Sequence, residues 1–215
     1  MPMKLAVLAP LSIVLLSLTA CGDSDPEVAA RAGDVAVSTD RADDVTGGYC
    51  EALAAVDQVT TRSGMRGYVA NALAIRDLSA EFAASYGVDL DAALADQTAS
   101  FVASLPQLPR VQAESVAEVE LVPTLPQVLG PLVGAAIDPT GTDADQATAG
   151  TNAYDDYLAA HPVSLSPSFG GPRVVVPVSG RGLLAGMDAT QVGPEEASAL
   201  PPAEQCGSAA VPSPS

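Results

Sequence analysis

The stretch 28–59 constrains this fold more than any other part of the chain. It begins VAARAGDVAVSTDRADDV and continues TGGYCEALAAVDQV. Val28–Ala32 reads as a short extended arm. Gly33-Asp34 is a two-residue turn in which glycine takes the positive φ that a tight hairpin needs, and 35–37 is the return arm. Ser38 or Thr39 then caps a helix by accepting a bond from a free backbone N–H. Asp40, Asp43 and Asp44 fall in its first turns, where the helix dipole favours carboxylates. The predicted helix covers 40–60, with Val45, Tyr49, Leu53, Val56 and Val59 near one face. Gly47-Gly48 costs roughly 1 kcal/mol per glycine in a helix interior, which marks a place of close packing or a kink.

Helical periodicity continues beyond this opening. Ser63-Gly64 breaks the chain, and a second helix is predicted over 65–86, with Met65, Tyr68, Ala72, Ile75, Phe82 and Tyr86 in register. Arg76 and Asp77 fall off that stripe and read as a solvated face. Gly87 suits the left-handed residue that ends a helix. A third helix covers 90–104, capped by Asp89 and closed before Pro106. A short helix is predicted over 111–122 and another over 127–137, with Pro123, Pro126 and Pro131 as interruptions. Asp138-Pro139-Thr140-Gly141 is a turn, and a last long helix covers 143–160. Segments 163–165 and 173–178 run apolar or alternate, and their prolines confine them to sheet edges. Gly, Ala, Pro and Ser dominate from Gly182 onward, so 181–215 is predicted to be a low-complexity, largely disordered tail apart from whatever Cys206 pins.

The 215 residues include no tryptophan and only eight aromatic side chains, five Tyr and three Phe. The core must therefore be aliphatic and rich in alanine, which favours close helix packing over a large β-sandwich. The expected fold class is mainly α, with short strands near the two ends. Net charge is −17. Such a surface repels phosphate backbones, so no nucleic-acid partner is expected.

Residues 1–20 carry one basic residue, Lys4, and then an apolar run over 5–18. That length suits a signal-peptide core and is short for a membrane span. The run ends Leu18-Thr19-Ala20-Cys21, which matches the lipobox of bacterial lipoproteins. There a free thiol takes a diacylglyceryl group, and the small residues before it fit the signal peptidase. Cys21 is the predicted lipidation site, 21–27 a tether, and the outer face of the cytoplasmic membrane the expected location. Lys4 is the chain's only lysine; without the leader, eight arginines face 26 acidic residues, a balance of −18. Cys50 and Cys206 remain, in a compartment where disulfides persist. One bridge between them is expected, two free thiols being the alternative.

The hairpin with its capped helix resembles the opening of the SurA N-terminal family of extracytoplasmic chaperones and foldases. AIRDLSAEFAASYGVDLDAALADQ is similar to that family's second helix and the acid-rich turn after it. SPSFG at 166–170 is similar to the aromatic-glycine pair that follows its terminal helix, although the usual basic residue before the aromatic is missing. The resemblance covers 28–97 and 144–170. It implies a SurA-like helical domain over 28–180 that binds unfolded or partly folded secreted polypeptides. Full foldases of this kind carry a parvulin module with histidines in its cleft. Here 106–139 is too short to hold one, so the resemblance implies no isomerase activity.

Other chemistry is not signalled. There is no GxSxG, P-loop, HExxH or CxxC motif. His161, the only histidine, precedes Pro162 and pairs with no cysteine at metal-ligand spacing. No catalytic residue, metal or cofactor is expected. The competing expectation is an envelope structural or small-ligand-binding lipoprotein built on the same helical core.

Overall fold

A computed structural model describes residues 27–170, 174–175 and 194–208. The fold is mainly α with a few short strands near the two ends of the chain. The hairpin forms as predicted. β1 (Val28–Ala32) pairs antiparallel with β2 (Val35–Ser38), and Gly33 turns between them at φ +58°. Ser38 caps α1 (Thr39–Ala55), its hydroxyl accepting the Arg41 N–H at 3.2 Å.

Helix α1 stops five residues earlier than its periodicity implies. Asp57 takes a left-handed φ of 54°, and the N–H groups of Val56 and Gln58 both turn back to the Leu53 carbonyl. The chain then leaves as β3 (Val59–Thr61). Val59, assigned to the helical face, is buried in this strand, while Val56 is exposed. Thr61 caps α2 (Arg62–Ser85) by accepting the Gly64 N–H at 3.1 Å. Ser63-Gly64 is thus the first turn of a helix rather than a break.

Helix α2 is the axis of the molecule. Seven consecutive residues, Val69 to Ile75, are buried, so the helix is covered on every side there. Alanines at 70, 72 and 74 let its neighbours approach closely. It ends in a Schellman motif: Val88 N–H bonds the Ala83 carbonyl and Gly87 N–H the Ala84 carbonyl, each at 2.9 Å, with Gly87 at φ +73°.

Helices α3 (Leu90–Ser104) and α4 (Arg110–Glu120) follow, then a 3₁₀ turn over Val122–Thr124. Helix α5 (Leu125–Ile137) runs on through Pro131, where an interruption was predicted. Pro131 faces solvent and removes one backbone bond, and tight packing against α6 (Asp143–Ala160) holds the helix through it. Thr142 and Asp145 form a capping box at the start of α6.

Strand β4 (Val163–Leu165) returns to β1, and β5 (Val174–Val175) pairs with β4, giving an antiparallel sheet of order β2-β1-β4-β5. The rest of the predicted strand, 173 and 176–178, lies outside the described residues. Between β4 and β5, Arg66 of α2 clamps the SPSFG segment. It donates to Asp43 at 2.6 and 3.0 Å and to the Ser168 carbonyl at 3.2 Å, and it stacks 4.1 Å from the Phe169 ring centroid. The Phe169 face thus carries a cation supplied by α2.

The few aromatics join α6 to α2. Phe82 lies 5.4 Å from Tyr154 and 5.1 Å from Tyr157, and the Tyr154 hydroxyl meets buried Ser79 at 2.7 Å. Burial pushes the Tyr154 phenol up to about 12. Part of the predicted tail is structured: α7 (Pro194–Ser198) and a 3₁₀ turn lead into β6 (Gln205–Gly207), which pairs antiparallel with β3. Residues 181–193 and 209–215 of that tail lie outside the described residues.

Candidate functional site

Cys50 on α1 and Cys206 on β6 form a disulfide across 156 residues, with their Cα atoms 4.5 Å apart. It fastens the C-terminal strand to the first helix, where Cys206 is fully buried. Cys21 lies outside the described residues. Among the described residues no cluster of His, Cys, Asp and Glu could hold a metal ion. His161 caps the end of α6. Its Nδ1 is 2.8 Å from the Tyr157 carbonyl, and its ring lies 4.3 Å from the Tyr157 ring. Its far edge closes on Gly33, where an added Cβ would come within 2.8 Å of it. This histidine joins the hairpin to α6, and its ring is packed rather than presented.

Among the described residues, one feature with room for a partner is a cleft of about 550 Å³ between α3 and α4. Helix α3 carries far more apolar surface than the core takes up. Of its fifteen residues only Leu90 and Leu94 are buried. Leu94, Thr98 and Val102 face the cleft, together with Ala95, Ala99 and Ala103, which recur at four-residue spacing and are exposed. Ala117 of α4 and Leu121 just past its end form the opposite wall. The cleft is thus mostly apolar, open to solvent, and floored by small or aliphatic side chains.

Charged groups ring its mouth: Arg76, Asp91, Arg110, Glu114 and Glu118. Arg76 pairs with Asp91, which ties α3 to α2. Arg41 of α1 donates to Asp77 at 2.6 Å and to Glu118 at 2.9 Å, which ties α4 to α1 and α2. Each wall is therefore pinned to the core through its own ion pair. Burial works against the Arg41 charge, but the hydrogen bonds and charges of Asp77 and Glu118 outweigh it and raise the guanidinium above its ordinary value. Exposed Arg110 pairs with half-buried Glu114 one turn along α4 at 2.7 Å, and such a surface pair contributes little.

At the far end of α4, the Tyr49 hydroxyl bonds Glu120, and Tyr68 stands edge-on to Tyr49 at 6.1 Å. Burial, then the neighbouring Tyr68 and Glu120, raise the Tyr49 phenol far above its usual range; burial and the Glu120 charge push Tyr68 up to about 12. Both hydroxyls stay protonated near neutral pH, so they serve as donors and polar anchors.

Arg76 and Asp77 were expected on a solvated face. Their side chains are instead three-quarters or more buried, within the network that joins α1, α2, α3 and α4. Their sequence positions carry no mark of this, because the partners come from three other helices. The cleft has a sequence signal: a fifteen-residue helix rich in alanine, with apolar positions around most of its circumference. Among the described residues no single helix is long and apolar enough to cross a membrane. No family model, curated protein or solved structure matches the chain.

Proposed function

We propose that this protein is a polypeptide-binding, chaperone-like lipoprotein of the cell envelope. It is tethered through Cys21 and has no isomerase activity. The observation that supports this reading most is the open apolar cleft between α3 and α4. Aliphatic and alanine side chains offer contact area without fixed hydrogen-bond partners, which suits weak binding of varied apolar segments. A single small ligand is better held by an enclosed pocket with a few placed polar groups, and here the exposed alanines of α3 leave one side open. The lipobox at Leu18–Cys21 supports this reading, since a lipoprotein tethered there would meet unfolded secreted chains as they emerge. The histidines of a parvulin centre are lacking, since the sole histidine is packed against Tyr157 and Gly33.

The test is refolding of an aggregation-prone secreted protein with this protein at several ratios. Suppression of light scattering is expected at molar excess, with the Ala99→Trp variant weakened at least about threefold, since one indole takes up much of the cleft surface. Ala99 is exposed, so the variant is expected to fold. Absence of suppression by the wild type at excess would refute the reading. Catalysis of prolyl isomerisation in a short peptide would refute its second half.

A further inference from the structure

The C-terminal segment 194–208 is held to the molecule in a different way from every other element. Helix α7, the 3₁₀ turn Pro202–Glu204 and β6 lie against α1, α2 and β3. Among their described side chains, however, only Ala197 and Cys206 are buried. Gln205 spends its amide within the segment, donating to the Ser198 and Leu200 carbonyls at 3.1 and 2.7 Å. The pairing with β3 joins Val59 to Gly207, Thr60 to Cys206 and Thr61 to Gln205 and goes no further. A methyl group and so short a ladder stand against a conformational entropy on the order of 1 kcal/mol or more for each ordered residue. The Cys50–Cys206 bond is therefore what keeps the segment docked.

The body beneath is complete without it. The apolar core runs through the helices α1 to α6 and the four-stranded sheet, and among the described residues Cys206 is its one member from 194–208. What the segment covers is β3, whose Val59 and Thr61 are buried and whose Thr61 caps α2. Cys50 is half-buried on α1, whereas Cys206 is fully buried, so Cys50 is the partner within reach of an incoming thiolate.

We propose that the Cys50–Cys206 bridge is a redox latch: a dithiol reductant opens it, residues 194–208 undock and bare the edge of β3, and residues 28–170 keep their fold. One thiolate of the dithiol attacks the Cys50 sulfur and forms a mixed disulfide. The bond to Cys206 breaks, and Cys206 leaves with the electron pair and takes up a proton. The second thiolate of the reductant then displaces Cys50, which is protonated in turn. Two electrons and two protons pass from the dithiol, which ends as a disulfide, to the two cysteines. The N–H and C=O groups of Val59–Thr61 that faced β6 become an unpaired strand edge at the start of α2. The latch is independent of the polypeptide-binding reading above.

Hydrogen exchange read by mass spectrometry on the full chain, with and without dithiothreitol, tests it, and maleimide labelling counts the thiols released. Without denaturant, both cysteines are expected to label. Exchange at 59–61 and 205–207 is expected to rise at least about tenfold, and exchange at Leu73, Ala74 and Ile75 in the centre of α2 to change by less than about twofold. Re-oxidation with a small-molecule disulfide is expected to restore the first pattern. The double variant Cys50→Ser, Cys206→Ser is expected to show the fast pattern with and without dithiothreitol. A bridge that resists dithiothreitol until denaturant is added would overturn the proposal, because the bond would then be a sealed staple. Unchanged exchange at 205–207 after full reduction would overturn it as well, since the non-covalent contacts would suffice to hold the segment. So would faster exchange throughout α1 to α6, which would mean that reduction unfolds the body.

Discussion

Replacing Cys50 and Cys206 together by alanine is expected to lower the free energy of unfolding by about 5 kcal/mol. The bridge closes a loop of 156 residues, nearly three-quarters of the chain, and holds down the entropy of the unfolded ensemble accordingly. For a protein of this size the loss corresponds to a fall in melting temperature on the order of 10–20 °C. The local consequence is as specific as the global one. Strand β6 contributes only three residues to its pairing with β3, and a two-stranded ribbon that short does not hold by itself. In the double variant, amide exchange at Val59, Thr60 and Thr61 is therefore expected to accelerate more than at β1, whose sheet has further strands. Differential scanning calorimetry and hydrogen exchange read both effects. A melting temperature within about a degree of the wild type would contradict the role given to the bridge.

The second large effect is expected at Gly150. Helices α5 and α6 cross so closely that a Cβ on Gly150 would overlap the Gly130 carbonyl and come within 2.6 Å of the Gly134 nitrogen. Both obstacles are backbone, and neither can swing aside as a side chain would. Gly150→Ala must push the two helices apart, at a cost of about 3 kcal/mol or more. Tyr154 and Leu158, one and two turns further along α6, are buried, so the displacement reaches the core around Ser79 and Phe82. Gly47 is the contrast, since a Cβ there meets nothing within 4 Å. Gly47→Ala in the middle of α1 is expected to stabilise by up to about 1 kcal/mol through helix propensity. Urea titration of the two variants separates packing from propensity. Wild-type stability for Gly150→Ala would mean that the α5–α6 crossing is looser than described.

These two cases also show what was legible beforehand. Elements whose ends are written in local chemistry came out with accurate bounds. The Gly33-Asp34 turn, the Ser38 and Asp89 caps and the Gly87 stop each depend on one or two residues and their neighbours in sequence. The bounds of α3 and α6 followed from such signals. The end of α1 did not, because Val59–Thr61 leaves the helix to meet β6, a partner some 146 residues away in the chain. Pro131 misled for a related reason: its local cost is met by the glycine-lined contact with α6, which no single-helix pattern reveals. The bridge could be anticipated by elimination of Cys21, whereas the burial of Cys206 in a structured segment could not. The cleft was half legible. Its alanine wall is visible in α3, but its mouth depends on Arg41, Arg76, Asp91 and Glu118 arriving from four helices. Those contacts belong to tertiary structure alone.

Unfolded polypeptide is expected to enter the α3–α4 cleft. Methyl NMR of the protein answers this directly, with a reduced, carbamidomethylated secreted protein as a permanently unfolded and charge-neutral-capped probe. Leu94, Val102 and Leu121 report from the cleft, while Val56, Leu132 and Ile137 are exposed apolar side chains elsewhere on the surface. Progressive, saturable shifts confined to the first three are expected as probe is added. Shifts of equal size at Val56, Leu132 and Ile137, or none at Leu94, Val102 and Leu121 at saturating probe, would contradict it.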